Sequence, residues 1–294
     1  MNKWIKLIGA GGIIYLLSKR DPDKIGKLYD VNPVRGGRID QYWINNVDNY
    51  STQLMGKNAD RKKYLNDPEL AATTFGLQGI EFGNWMNQSD RLSHHVSMMQ
   101  SLKDLSTIMK IPMSAVGRGK LAVAMGARGK GGALAHYESS DRYTINITKE
   151  KGPGSLAHEF GHYIDNYVGR RFLGKNSLYA SGGRSTRMLV DTSHLNKKTI
   201  RGAMERIINT LYYNADGSPT VYYEKQKAMD SEYLYRRTEV FARTFEQYTR
   251  IKLKQNNMRN DYLVSRAARY EEPDEFLVRK IIPEIDYLIK KGFK

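Results

Sequence analysis

The residues best suited to chemistry in this chain form the sequence His158-Glu159-x-x-His162. On an α-helix, side chains four residues apart lie on one face, so the two imidazoles can bind one metal ion at roughly 2.0 to 2.1 Å. The glutamate between them would face a water molecule held by that ion and take its proton. The spacing therefore predicts a catalytic zinc site, with His158 and His162 as ligands and Glu159 as the catalytic residue.

A catalytic zinc usually has three protein ligands and keeps a fourth position for water. A third histidine of the metzincin type is excluded, because that pattern needs glycine at 165 and histidine at 168, where the chain has Asp165 and Val168. A downstream acid is favoured instead. The stretch from residue 237 to residue 248 predicts a helix with Glu239, Arg243 and Glu246 on one face.

Glu239 is the favoured third ligand, and Ala242 beside it would permit a close approach to the first helix. Arg243 and Glu246 would then orient the ligands or brace the two helices. Two alternatives stay open: Glu246 as the ligand, and an ordinary solvated charged face.

Several residues near the motif are candidates for supporting roles. Asp165, one turn after His162, could accept the free N–H of a zinc ligand, or could be a helix cap or a surface carboxylate. We predict a substrate cleft near His136, Tyr143 and Asn146, although His136 is also typical of a structural histidine. An extended substrate would pair with an edge strand, either 143–148 or 133–137.

The elements that must position these residues are mostly helical. Helices are predicted at 40–55, 89–110, 154–168, 199–214, 236–254 and 274–291, the last one kinked at Pro283. Gly154 and Ser155 would start the motif helix and cap it, and Gly169 would end it. Short strands are predicted at 79–85, 121–127, 133–137 and 143–148. Strands followed by helices, with no βαβ alternation, predict an α+β fold with a small mixed or antiparallel sheet beside the motif helix.

Composition narrows the kind of site further. The chain has 294 residues, no cysteine, and 47 Lys and Arg against 31 Asp and Glu, for a net charge of +16. Without cysteine there is no disulfide, thiolate zinc finger or cysteine nucleophile, so a metal must be bound by His, Asp or Glu. The absence of cysteine is compatible with a cytoplasmic or a virion protein.

The positive charge favours polyanionic partners, and one stretch concentrates it. Between residues 168 and 190 there are five basic residues and no acid. The five are Arg170, Arg171, Lys175, Arg184 and Arg187. They could contact nucleic-acid phosphates without reading sequence, recognise an acidic peptide, or lie in solvated loops.

Residues 1–58 are interpreted as an N-terminal arm and residues 59–294 as the main domain. The apolar run 7–17 has 11 residues, too short to span a membrane. It would form a helix that is buried or docks on a partner, with a membrane-surface anchor and a secretory signal as the alternatives. Residues 21–40, with Pro22, Pro33, Gly36 and Gly37, are typical of a linker.

Several segments, which follow one another in the same order along the chain and include the motif, resemble the type 1 large polyvalent protein-associated domain. This is a zincin-like family of phages, plasmids and integrative elements. The resemblance covers roughly residues 60–290. The segments are 75–85, 126–138, 145–148, 152–167, 238–248, 261–264 and 282–286.

The resemblance implies that His158, Glu159, His162 and Glu239 are the metal and catalytic positions. It also implies a mobile-element origin, and with it a virion protein or one delivered with DNA into the host cytoplasm. The resulting expectation is a zinc-dependent endopeptidase with a polypeptide substrate and virion proteins as partners. The alternative is a catalytically silent virion structural protein that contacts nucleic acid.

Overall fold

The computed structural model describes residues 42–49, 63–127, 133–139, 143–174, 178–189, 191–196, 198–229 and 231–294. The apolar run 7–17, the linker 21–40 and the ends of the predicted helix 40–55 lie outside these residues. Residues 42–49 form helix α1, and its Trp43 is 1% exposed in the same hydrophobic core as the rest of the chain. This part of the arm is therefore packed on the domain.

Helices make up most of the described chain. They are α2 (Pro68–Phe75), α3 (Gln88–Met109), α4 (Leu156–Phe172), α5 (Ile200–Tyr212), α6 (Val221–Ala228), α7 (Glu232–Tyr235), α8 (Arg237–Gln255) and α9 (Glu275–Phe293). Four of the predicted helices correspond closely to α3, α5, α8 and α9. Helix α4 continues past Gly169 to Phe172, and α9 continues through Pro283. Helices α2, α6 and α7 have eight residues or fewer and were not predicted from the sequence.

One four-stranded mixed sheet lies among the helices. Its strands are β1 (Gly79–Phe82), β2 (Leu121–Met125), β3 (Ala135–Glu138) and β4 (Tyr143–Ile147), in the order β1-β2-β4-β3. The first three in that order are parallel, and β3 is antiparallel to β4. The predicted α+β class with a small mixed sheet is confirmed.

Two expectations about the sheet are wrong. Strands β1 and β2 are parallel and joined through α3, so the chain does contain a βαβ unit. Strand β4 lies between β2 and β3, so the predicted edge role of 143–148 is excluded. Of the two strands proposed to receive a substrate, only β3 is at an edge.

The motif helix α4 packs most extensively on α8. A Cβ atom added at Gly161 would lie 2.9 Å from the Cα of Ala242 and 3.1 Å from the Cβ of Phe245. Glycine and alanine therefore let the two backbones approach closely, as predicted for Ala242. This approach brings the face of α8 that carries Glu239 up to the two histidines.

Replacing Gly161 by alanine is expected to destabilise the fold by about 1 to 3 kcal/mol, the usual effect of overpacking a dense core. The added methyl meets backbone atoms of α8, so the helices must separate. Urea unfolding followed by circular dichroism measures the loss. The matched control is Gly292→Ala in α9, whose new Cβ meets the side chain of Val168 rather than backbone. Equal stability of the two variants would contradict the close-packing argument.

The start of α4 is held by a distant part of the chain. The N–H groups of Gly154 and Ala157 donate to the carbonyl oxygens of Tyr262 and Leu263. The predicted Ser155 cap is wrong in detail, because its side chain makes no cap hydrogen bond. Its Oγ instead contacts the guanidinium of Arg269 at 3.1 Å. The segment after α8 thus replaces the side-chain cap.

Candidate metal and catalytic site

Two histidines and one glutamate converge between α4 and α8. One ligand atom from each of His158, His162 and Glu239 lies within 4.8 Å of the others, so this group could hold a metal ion. The Nε2 atoms of His158 and His162 are 3.4 and 3.5 Å from the Glu239 carboxylate. The structure therefore brings together the three residues expected to be ligands.

The second ring nitrogen of each histidine faces a different partner. Nδ1 of His158 is 3.4 Å from the fully buried carboxylate of Glu246, and Nδ1 of His162 is 3.1 Å from Oγ1 of Thr238. These contacts leave Nε2 of both rings directed at the common point, as in metal sites where a second partner orients each imidazole. Glu239 therefore faces the two Nε2 atoms at the common point, and Glu246 faces the opposite ring nitrogen of His158.

Asp165 does not contact a ligand histidine directly. Its carboxylate accepts the Ser181 backbone N–H at 2.7 Å and the Ser181 hydroxyl at 2.6 Å, and it also interacts with the Thr238 side chain. Burial raises the pKa of Asp165 to about 6. The predicted link to His162 is therefore indirect, through Thr238. Thr238 directly precedes Glu239 in the sequence, but its role at the site was not predicted.

Burial controls the electrostatics of Glu159, the residue predicted to be catalytic. Glu159 is 6% exposed, and its pKa is raised to about 7, first by burial and then by the negative charges of Glu239 and Glu246, against the opposing effect of His158. A carboxyl group with such a pKa can both accept and return a proton near neutral pH. The position and the burial of Glu159 therefore suit a general base.

Two ionisable side chains, His158 and Glu239, favour a cation at the convergence point. Burial would lower the pKa of His158, but contacts with Glu239 and Glu246 raise it instead. Burial likewise opposes ionisation of Glu239, yet the two histidines keep its pKa below the usual value. Oε2 of Glu239 is buried with no hydrogen-bond partner. Positive charge is therefore stabilised here, so the residues fit a bound metal ion.

A cleft of about 260 Å³ opens onto this group. Its walls come from the start of β3, the first turn of α4, α7, α8 and the segment after α8. The lining residues are Ala133, Leu134, Ala135, Ser155, His158, Glu159, Tyr233, Leu234, Glu239, Arg243, Glu246, Arg269 and Glu271. Arg269 was missed because it lies in an irregular segment with no motif.

The residues predicted to form the substrate cleft lie elsewhere. His136 contacts Glu138 at 3.2 Å, Tyr143 packs edge-on against the rings of Tyr163 and Tyr167, and Asn146 is 1% exposed. None of the three lines the cleft. The sheet contributes its edge backbone there instead.

The predicted phosphate contacts divide between two places. Arg170 and Arg171 lie at the end of α4, where Arg170 binds the carbonyl of Ser139 and Arg171 binds the Tyr167 hydroxyl. Arg184 and Arg187 are exposed in the loop that packs on the start of α8. Lys175 lies outside the described residues. These basic residues are thus attached to different elements.

Comparison with known families gives one match. Residues 225–293 match the model of the large polyvalent protein-associated domain 1. The predicted domain name is confirmed for this part of the chain. The matched range includes Glu239, Arg243 and Glu246 on α8. It begins after α4, so the two histidines lie outside it. Searches of curated proteins and of solved structures returned no match.

A search of the described helices for membrane spans found none that is long and apolar enough to cross a bilayer.

Proposed function

We propose that this chain is a zinc-dependent endopeptidase with a zincin-like site. The observation that carries the proposal is the convergence of His158, His162 and Glu239 within 4.8 Å, next to the buried Glu159 and open to a cleft. A zinc ion bound there would polarise the scissile carbonyl and lower the pKa of a water molecule to about 7.

The chain's own residues would handle the proton. Glu159 takes a proton from the water as its oxygen attacks the carbonyl carbon, and later returns it to the departing amine nitrogen. Glu246 and Thr238 hold the two imidazoles in orientation through their Nδ1 atoms. The guanidinium of Arg243 lies 3.6 Å from the same Glu239 oxygen that faces His158 and helps to hold that carboxylate in place.

The edge strand β3 supports an extended polypeptide as the substrate. Leu134 accepts a hydrogen bond from the Thr148 N–H, and hydrogen-bonded pairs alternate in antiparallel strands. Ala135, the next residue, therefore directs its N–H and C=O away from β4. Among the described residues no strand pairs with that side of β3, so a peptide could add there beside Glu159.

The matched domain name and the resemblance in sequence support a proposal about the origin, the location and the partners of the protein. We propose a phage or mobile-element origin, with action in the virion or in the host cytoplasm and virion polypeptides as natural partners. Contact between the basic residues and nucleic acid is a supplement to this proposal.

The proposal predicts metal-dependent proteolysis. Purified protein should contain about one zinc ion per chain and should cleave fluorescein-labelled β-casein. Removing the metal with 1,10-phenanthroline should reduce cleavage to background, and added zinc should restore it. Elemental analysis measures the zinc content, and fluorescence dequenching measures the cleavage of casein. Cleavage that persists in metal-free protein would contradict the proposal, as would a protein that binds no zinc.

A further inference from the structure

The geometry points to Tyr233 as a second catalytic residue, whose hydroxyl donates a hydrogen bond to the scissile carbonyl oxygen as that oxygen becomes negative. This inference rests on the proposed peptidase function and adds the group that stabilises the oxyanion. Such a donor is required because attack on a peptide carbonyl places a full charge on its oxygen.

Tyr233 lines the same cleft as His158, Glu159 and Glu239. It stands on α7 and is 48% exposed. Its hydroxyl interacts with the Glu239 carboxylate, and it is close enough to Glu159 for the two to interact electrostatically. The hydroxyl therefore reaches the space between the ligand group and the general base while its ring remains open to a substrate.

Arg243 fixes the position of Tyr233. The guanidinium of Arg243 lies 5.7 Å from the centre of the Tyr233 ring, and its Nη1 donates to the carbonyl oxygen of Leu234 at 3.1 Å. The same guanidinium approaches Glu239 at 3.6 Å. The buried guanidinium of Arg243 thus joins α7 to α8 and keeps the Tyr233 side chain directed into the cleft.

The neighbouring tyrosines do not have this position. Tyr222 is 2% exposed and lines a separate cavity, and the Tyr223 ring packs on Tyr212 and Tyr213. Tyr235, two residues after Tyr233, is not among the residues that line the cleft. Tyr233 is therefore the hydroxyl that the structure assigns to the reacting carbonyl.

The step balances without any further reactant. The water oxygen bonds to the carbonyl carbon, the π electrons move onto the carbonyl oxygen, and the water proton passes to Glu159. Tyr233 donates a hydrogen bond to that oxygen and keeps its proton. When the intermediate collapses, a lone pair of the oxyanion re-forms the C=O bond, the C–N bonding pair leaves with nitrogen, and the proton on Glu159 passes to that nitrogen.

The test is Tyr233→Phe, which removes only the hydroxyl. With a peptide taken from a mapped β-casein cleavage site, kcat should fall about 100- to 1,000-fold, the usual effect of losing one oxyanion donor. KM should change less than about threefold, because an oxyanion donor acts in the transition state. Zinc affinity, measured against a chromophoric chelator, should fall far less than kcat, because the Tyr233 hydroxyl contacts the proposed ligand Glu239 but is not itself a ligand.

A second readout does not depend on turnover. A peptide with a phosphinate in place of the scissile amide resembles the tetrahedral intermediate, so its affinity should fall by a factor similar to the loss in kcat. Isothermal titration calorimetry measures this affinity. Tyr270→Phe is the control, because Tyr270 is 63% exposed and lies outside the cleft, and it should match the wild type in every measurement.

The outcomes separate this inference from the function on which it rests. If the wild type cleaves the peptide and Tyr233→Phe keeps kcat and phosphinate affinity within threefold, Tyr233 has no catalytic role and the peptidase proposal stands. A Tyr233→Phe variant that loses zinc affinity in parallel with kcat would make Tyr233 a support for Glu239, which also overturns the inference. A wild type that cleaves nothing with zinc bound overturns both proposals.

Discussion

Replacing Glu159 by glutamine is expected to lower kcat for peptide cleavage by about 100- to 10,000-fold, the range for loss of a general acid–base group. Glutamine has almost the same shape but cannot accept the proton of the attacking water. The fold and zinc content should be retained, because Glu159 is not among the residues that converge as ligands. Cleavage of the mapped β-casein peptide and elemental analysis of the same sample measure both.

Glu224→Gln is the control for this variant. Glu224 is exposed on α6 and does not line the cleft, so its replacement should leave kcat unchanged. A Glu159→Gln protein that cleaves at the wild-type rate would exclude the proton-transfer role of Glu159. Loss of zinc from that variant would instead assign Glu159 to the metal site.

A matched pair of variants on α8 separates the ligand from the orienting residue. Glu239→Gln should weaken zinc binding by more than about 100-fold, because it removes a charged ligand. Glu246→Gln should weaken it by about 10- to 100-fold, the usual effect of changing the partner of a metal-bound histidine. Competition with a chromophoric chelator measures both affinities.

The variant with the larger loss of zinc affinity identifies the ligand. This comparison is needed because both glutamates contact the imidazole of His158, Glu239 at Nε2 and Glu246 at Nδ1. If Glu246→Gln has the larger effect, Glu246 is the ligand and the assignment of the ring nitrogens must be reversed. Circular dichroism of the metal-free proteins controls for unfolding, since Glu246 is completely buried.

The spacing of residues along the two helices was enough to predict most of the proposed metal ligands. The histidines four residues apart are brought together by helical geometry alone, and the pattern of Glu239, Arg243 and Glu246 depends on the same periodicity. Thr238 was missed because its role depends on where α8 begins relative to α4, a tertiary property. Tyr233 is one of 20 tyrosines in the chain, and only the position of α7 beside the cleft distinguishes it from the others.

The sheet has features that the periodicity of the sequence does not predict. Four or five alternating residues predict a strand, but not its direction or its neighbours. The parallel pairing of β1 with β2 follows from the path of α3 over the sheet, and the edge position of β3 follows from β4 pairing with β2. Arg269 was missed because irregular segments carry no periodic pattern.

The attachment of the α4 start to Tyr262 and Leu263 affects when the site can assemble during synthesis. The histidines leave the ribosome well before Glu239, and the carbonyls that complete the first turn of α4 leave later still. A nascent chain released or stalled before residue 263 would lack these partners. The first turn of α4 would thus be completed only after residue 263 has been synthesised, so translation that stops earlier would leave His158, His162 and Glu239 without their final arrangement.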